Sequence, residues 1–291
     1  MNGNIADTAA AALRLPDGDY ILAGTSTTLA GTEMTVARFN PDGTLDELFG
    51  GGSGSVHYSF PNAALIDVTS LAYDAGGIFV AGSSRSAANA PSSMFIARLY
   101  ASSGGKDAGY GAGGTCILVF NEGVGNNDNA GITSLVVQND DIYAGGYAQT
   151  DVNRYKGAVV KLQQSCVFDP DFGVSGRAYL QSGYTLSFNK IAVQGDGKVV
   201  AVGTRKSSAV SDTRIDVARF KADGTLDTGF ASFGENVFGF NLAGGGDTGV
   251  SVAVGSDRIY VAGYASRGAG NNDYVIAGLK NDLIFANNFE D

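Results

Sequence analysis

Two stretches, Ala37-Arg-Phe-Asn-Pro-Asp-Gly-Thr-Leu-Asp-Glu-Leu-Phe-Gly50 and Ala218-Arg-Phe-Lys-Ala-Asp-Gly-Thr-Leu-Asp-Thr-Gly-Phe230, are near-copies of each other in distant parts of the chain. Each reads as the end of a strand, an Asp-Gly turn, and an Asp followed three residues later by an aromatic. Working outward, the Ala-Arg-Phe element recurs as Ile96-Ala-Arg-Leu99, Val159-Val-Lys-Leu162 and a weaker Ile276-Ala-Gly-Leu279. The Leu-Asp-x-x-Phe element recurs as Lys106-Asp-Ala-Gly-Tyr110 and Phe168-Asp-Pro-Asp-Phe172. Upstream of each unit lies a strand-like segment closing on glycine at Gly24, Gly82, Gly146, Gly203 and Gly263, spaced by 58, 64, 57 and 60 residues. Three markers in one order, repeated at a near-constant period, define a repeat protein.

Each unit of about 60 residues reads as four short strands. The first is an apolar segment such as Ala9 to Leu15; the second ends at the glycine; the third carries Ala-Arg-Phe; the fourth is a segment such as Ser55 to Phe60, Cys116 to Phe120 or Asn236 to Phe240. No span sustains a 3.6-residue period, so helices are expected to be single turns at most. Small antiparallel sheets repeated five times suit radial stacking, which leaves few open edges. The expected fold is all-β: a five-bladed β-propeller with four antiparallel strands per blade. It is read as a single domain over 1–291, with units at about 7–60, 61–120, 121–180, 181–240 and 241–291. The narrow axis of such a ring favours small inner side chains, as in Ala9-Ala10-Ala11-Ala12, although Val68, Leu71, Ile132 and Leu135 are bulkier. The fifth unit lacks a recognisable fourth strand, so the tail 282–291 or the segment before Asp7 is expected to supply it. In the aromatic close, Asp46 and Asp227 are expected to cap the following turn, and Phe49 and Phe230 to plug gaps between blades.

These units resemble the bacterial delta-60 repeat family. Leu15-Pro-Asp-Gly-Asp19, Gln194-Gly-Asp-Gly-Lys198 and the two opening stretches carry the resemblance; Asp74-Ala-Gly-Gly77, Asn139-Asp-Asp141 and Gly278 depart from it. The resemblance implies a propeller-like, mostly exported protein with no assigned activity, and it transfers no catalytic residue.

Composition narrows the function. Hydrophobic residues make up 44% of the 291, enough for a core and against disorder. The net charge of −10 disfavours a nucleic-acid partner. Of 29 acidic residues only 5 are Glu, the balance of a turn-rich chain rather than a helical one. No apolar stretch approaches the ~18 residues that span a bilayer, so membrane insertion is not expected. The opening residues have neither the basic region nor the apolar run of a secretory leader. A trimmed, exported bacterial protein at the cell surface or outside it is the expectation, ahead of a cytoplasmic one.

Chemistry is sparse. His57 is the sole histidine, and nucleophile–histidine catalysis and histidine metal sites both need partners it lacks in sequence. Carboxylates remain: Asp7, Asp67, Asp128 and Asp247 precede inner strands, and Glu122 sits in the same kind of loop, so all five are candidate ligand-binding residues at one channel mouth. Two Gly-Asn-Asn-Asp tetrapeptides, from Gly125 and Gly270, read as turns rather than calcium loops. Tyr147 and Tyr264 follow the anchor glycine in two units only and read as packing. Cys116 and Cys166 fall toward one face of adjacent units and form either a disulfide or two thiols. No cofactor and no metal are implied. The reading is a noncatalytic extracellular module, not an enzyme, that binds or supports an unknown glycan or protein. The alternatives are a carboxylate-dependent glycan-active enzyme with acids at the channel mouth, and a self-assembling surface protein.

Overall fold

The anchor glycines explain why the strands pair as they do. In the computed structural model, which describes residues 6–120, 128–151, 154–180, 184–206, 213–240, 242, 246–268 and 271–281, these glycines do not end their strands but sit inside them. The inner strand opposite four of them carries a one-residue bulge: between Ala9 and Ala11 opposite Gly24, and likewise opposite Gly82, Gly203 and Gly263. The bulge pushes a carbonyl into the space a side chain would fill. A Cβ on Gly24, Gly82, Gly203 or Gly263 would stand 1.9, 1.9, 2.0 or 2.0 Å from the oxygen of Thr8, Asp67, Ser187 or Thr248. Only glycine fits.

Around these bulges the chain forms five antiparallel sheets in sequence order. The first comprises β1 (Ala6–Arg14), β2 (Tyr20–Thr28), β3 (Gly31–Phe39) and β4 (Ser55–Tyr58); the second, β5 (Leu65–Asp74), β6 (Gly77–Arg85), β7 (Ser93–Tyr100) and β8 (Thr115–Leu118). The third comprises β9 (Ala130–Gln138), β10 (Asp141–Asp151), β11 (Arg154–Leu162) and β12 (Arg177–Leu180). The fourth comprises β13 (Thr185–Val193), β14 (Val199–Lys206), β15 (Thr213–Phe220) and β16 (Glu235–Phe238); the fifth, β17 (Asp247–Val254), β18 (Arg258–Ser266) and β19 (Asn272–Lys280), has three strands. Each fourth strand of known register covers four residues in the middle of the third, as β4 does over Met34–Ala37 and β16 over Ile215–Ala218. The segment 282–291, expected to complete the fifth sheet, lies outside the described residues, as do residues 1–5. Among the described residues the only helix is the single 3₁₀ turn Phe49–Gly51.

The chain divides into two compact units, Met1–Ile142 with Ala148–Thr150 and Leu162–Val167, and Tyr143–Tyr147 with Asp151–Lys161 and Phe168–Asp291. In the first, facing sides of sheets one and two share a core that includes Ile21, Met34, Val36, Phe49, Ile78, Val80 and Phe95, none of them exposed. In the second, Val200, Val202, Ile215 and Val217 of sheet four meet Val252, Ile259 and Val261 of sheet five. Burying a side chain of this size stabilises by roughly 1.5–3 kcal/mol, so these seams hold each unit together. The inner strand β1 is mostly exposed, whereas Val68, Ile132 and Leu135 of β5 and β9 are buried. The bulkier inner residues therefore fill seams between sheets, and the small ones of β1 face solvent.

The Arg and Asp of the repeat serve one device. Arg38 Nε lies 3.1 Å from Asp46 Oδ2, Arg98 Nη1 2.9 Å from Asp107 Oδ2, Lys161 Nζ 2.7 Å from Asp169 Oδ2, and Arg219 Nε 2.8 Å from Asp227 Oδ2. The other oxygen of each Asp accepts the backbone N–H two residues on, from Leu48, Gly109, Asp171 and Gly229. That turn delivers Phe49, Tyr110, Phe172 and Phe230 into buried sites. Phe49 is seated against the next sheet: a Cβ on Gly104 would lie 2.7 Å from its ring. Burial raises the Tyr110 hydroxyl pKa far above its usual value. Within each unit the arginine also reaches the adjacent sheet. Arg38 Nη1 donates to Ala101 O at 2.7 Å, and Arg219 Nη1 donates to Asn281 O. The capping and plugging roles read from the motif are thus seen in the structure, together with an inter-sheet clamp the motif did not announce.

Candidate functional site

The acids singled out in sequence occupy unlike settings. Asp7 is exposed in β1 opposite Ser26, and Asp67 is exposed in β5 opposite Ser83. Register places Asp7 and Asp247 at one repeat position, two residues before the partner of the anchor glycine; the same position holds the buried apolar Ile66 and Leu186 in other sheets. Asp67 is one residue later, so its side chain points to the opposite face. Asp247 is buried, and its Oδ2 accepts the Phe240 N–H at 2.7 Å. Asp128 is half-buried ahead of β9, and Glu122 lies outside the described residues. Repeat symmetry therefore does not make these acids into an equivalent set.

His57 Nδ1 is 2.9 Å from Thr35 Oγ1, which is 2.5 Å from the buried Ser26 Oγ. This chain of hydroxyls ties β2, β3 and β4 together. Tyr147 packs edge-on against Tyr155, with ring centroids 5.5 Å apart. Cys116 in β8 and Cys166 in the turn after β11 form a disulfide with Cα atoms 5.8 Å apart, inside the window such a bond requires. It pins the outer edge of sheet two to the turn that follows β11.

Sheet four holds a different constellation. Asp216 lies in β15 opposite Gly203 and has no solvent exposure. Arg205 Nε donates to Asp216 Oδ2 at 2.9 Å, and Arg205 Nη2 contacts Glu235 Oε1. The guanidinium stands over the Tyr184 ring, 5.0 Å from its centroid. Burial is the main influence on Asp216 and outweighs the attraction of Arg205, so its pKa is raised to about 6. Asp216 Oδ1 meets no donor among the described residues. Tyr184 is exposed, and the side chains of Glu235 and Arg205 reach solvent at 22% and 14% exposure.

The fold does not need this acid. Opposite the anchor glycine the sister sheets carry Thr35, Phe95 and Val275. Two positions past that glycine, where Arg205 stands, they carry Ser26, Ser84 and Ala265. A buried carboxyl in place of Phe or Val costs free energy that a structural role does not recover. The signal is in the sequence: Ile215-Asp-Val217 places a charge inside an apolar strand. Among the described residues no cluster of three or more His, Cys, Asp or Glu could hold a metal ion.

Five short meandering antiparallel sheets, with bulged inner strands in four of them and buried aromatic plugs after four of the repeat turns, are the pattern of a β-propeller type of repeat protein. Residues 15–49 and 194–230 match the family described as "Domain of unknown function (DUF5122) beta-propeller". No curated protein matches the chain. Among solved structures, an endo-arabinase from Bacteroides thetaiotaomicron is similar at 11% identity, with 94% of this chain and 93% of that one covered and a TM-score of 0.49. An exo-1,5-α-L-arabinanase from a bovine ruminal metagenomic library gives 11%, 96%, 94% and 0.45 for the same quantities. An N-acetylgalactosamine deacetylase from F. plautii, solved with blood group B trisaccharide, gives 8%, 98%, 92% and 0.46. These are likenesses of fold.

Against the expectation of a noncatalytic binding or structural module that is not an enzyme, several of these fold neighbours are named for action on glycans. A single histidine and no nucleophile elbow exclude chemistries that need those groups, whereas glycoside cleavage runs on carboxyls. Among the described residues no helix is long and apolar enough to cross a membrane.

Proposed function

We propose that the chain is a glycan-active enzyme built on a five-bladed β-propeller of the delta-60 repeat type, exported from a bacterial cell. The observation that carries the reading is the Asp216–Arg205–Glu235 group: two carboxyls on one guanidinium, one buried and titrating near pH 6, where the fold itself calls for neutral residues. Functional sites are where such perturbed, mutually coupled groups collect. Glu235 is the carboxylate offered to substrate, beside the exposed face of Tyr184. In glycoside hydrolysis a carboxylate so placed takes one proton of the attacking water as the C–O bond to the leaving sugar breaks, and the departing oxygen takes up a proton from solvent water. Arg205 and Asp216 are positioning residues. As Asp216 gains or loses its proton, the negative charge competing with Glu235 for Arg205 changes by one. Asp7, Asp67 and Asp128 are proposed as glycan contacts; Asp247 is excluded because its carboxylate is engaged with Phe240. The disulfide supports export, since such bonds persist in oxidising compartments.

The test is release of reducing ends from a panel of neutral and uronate-bearing polysaccharides. Wild type is expected to act on at least one, Glu235→Gln to lose 100-fold or more, on the order of what a general base supplies, and Asp216→Asn to keep turnover while losing a pH inflection near 6. No release from any member of the panel, or an E235Q variant as active as wild type, would sink the proposal.

A further inference from the structure

At the turn ends of sheets four and five, a cleft of about 370 Å³ is walled by the β13–β14 turn, the β17–β18 turn, Arg219 and Asn281 just after β19. Its size falls within the range of small-ligand pockets. Three side chains of its wall, Gln194, Arg219 and Asn281, are each nine-tenths or more buried and joined in one network. Gln194 Nε2 donates to Asn281 Oδ1 at 2.8 Å, Arg219 Nη1 donates to the same oxygen at 3.1 Å, and Asn281 Nδ2 donates to Gly255 O at 3.2 Å. Arg219 is fixed from behind by Asp227 and stacked over Phe230, 4.8 Å from its centroid.

The same place between sheets one and two is built otherwise. Leu15 occupies the turn position of Gln194, with the same backbone hydrogen bonds closing the turn, and Ala101 occupies the position of Asn281. Both are buried apolar members of the core, and the arginine, Arg38, simply clamps the Ala101 carbonyl. Sheets four and five thus replace an apolar plug by two amides around an arginine. Buried polar side chains cost stability unless fully bonded, so a seam that merely had to close would keep the leucine and alanine.

Charge at the cleft balances. Lys198 pairs with Asp196 at the rim, and Arg219 with Asp227 beneath. An anion would have to displace one of these carboxylates. What remains for a ligand is a rim of alternating donors and acceptors: the Lys198 ammonium, the Asp196 carboxylate, the Ser256 hydroxyl and the backbone at Gly195. From this geometry we infer that the cleft is a binding site for a neutral sugar unit, whose vicinal hydroxyls both donate and accept. The choice of ligand rests on the glycan reading, but not on the Glu235 group, so the site is a second contact point for a glycan chain.

The experiment is calorimetric titration of the full chain with neutral mono- and disaccharides, and with uronic acids as the charged comparison. Three variants accompany it: Gln194→Leu/Asn281→Ala, which installs the residues of the first seam; Lys198→Met/Ser256→Ala at the rim, for the case in which the first fails to fold; and Glu235→Gln. Saturable binding of a neutral sugar is expected, weakened tenfold or more by each cleft variant and unchanged by E235Q. Binding that survives both cleft variants, preference for uronic acids, or no binding of any neutral sugar overturns the inference. E235Q separates the two sites: loss of hydrolysis with sugar binding retained supports both readings. Active hydrolysis with cleft variants that bind as wild type refutes this one alone.

Discussion

Replacing Asp216 by Asn provides a quantitative test of the buried carboxyl. Asp216 has no exposed surface, and burial lifts its pKa to about 6 from the 3.8 of an ordinary aspartate. An acid whose folded pKa is raised binds more protons when folded than when unfolded between those two values. Stability therefore falls as pH rises through that window and is flat on either side. Two pKa units correspond to roughly 3 kcal/mol at about 1.4 kcal/mol each, an upper figure for a group coupled to Arg205. Other perturbed carboxylates shift the opposite way. Asp42, Asp169, Asp196 and Asp223 are lowered, chiefly by side-chain hydrogen bonds from Thr44, Lys161, Lys198 and Thr225, so their contributions vanish only as pH falls below the usual carboxylate range. Urea unfolding at pH 4, 5, 6 and 7, followed by far-UV circular dichroism and tyrosine fluorescence, since there is no tryptophan, gives stability profiles for wild type and D216N. The difference between the profiles should change by about 2–3 kcal/mol between pH 4 and 7, with D216N relatively more stable at the higher pH. Parallel profiles would refute the raised pKa and remove the support it lends to the function.

Three further outcomes follow from the packing. Phe49→Ala, which empties a fully buried ring site, should cost about 3–5 kcal/mol in urea unfolding. Adding Gly104→Ala, whose Cβ needs the space of that ring, should cost less in the F49A background than in wild type, and strict additivity would show that the two are not in contact. Gly82→Ala, which sets a Cβ against the Asp67 carbonyl, should abolish the bulge and lower the unfolding midpoint more than Gly76→Ala, where the space is open although both the turn and φ disfavour alanine. Removing the disulfide as Cys116→Ser/Cys166→Ser should lose about 4 kcal/mol by the loop-entropy relation for a 50-residue separation, measured against the unreduced parent.

The strands, their order and the turn chemistry were legible in the repeat because each depends on neighbours close in the chain. Asp46 caps Leu48, and Gly43 follows Asp42 in a turn closed by Asn40 and Thr44. Likewise Leu-Asp-x-x-Phe implied a buried aromatic, since the turn and the ring lie within one short motif. The Asp216 group was not legible for a different reason. Asp216, Arg205 and Glu235 stand on three strands, 11 and 30 residues from Arg205 in sequence, and no local rule relates them. Acids such as Asp67 and Asp247 are conspicuous because Asp at the start of an apolar strand stands out, yet they lie within β5 and β17 and register points them to opposite faces.

What the sequence determined by itself was the repeat: five sheets of short strands and their aspartate-capped turns with a buried aromatic, all short-range consequences of side-chain size and hydrogen-bonding reach. What only the tertiary structure decided was which of many carboxyls lost its water. Desolvation is a property of everything packed around a group, and the residues that bury Asp216 come from neighbouring strands whose proximity a linear reading does not contain.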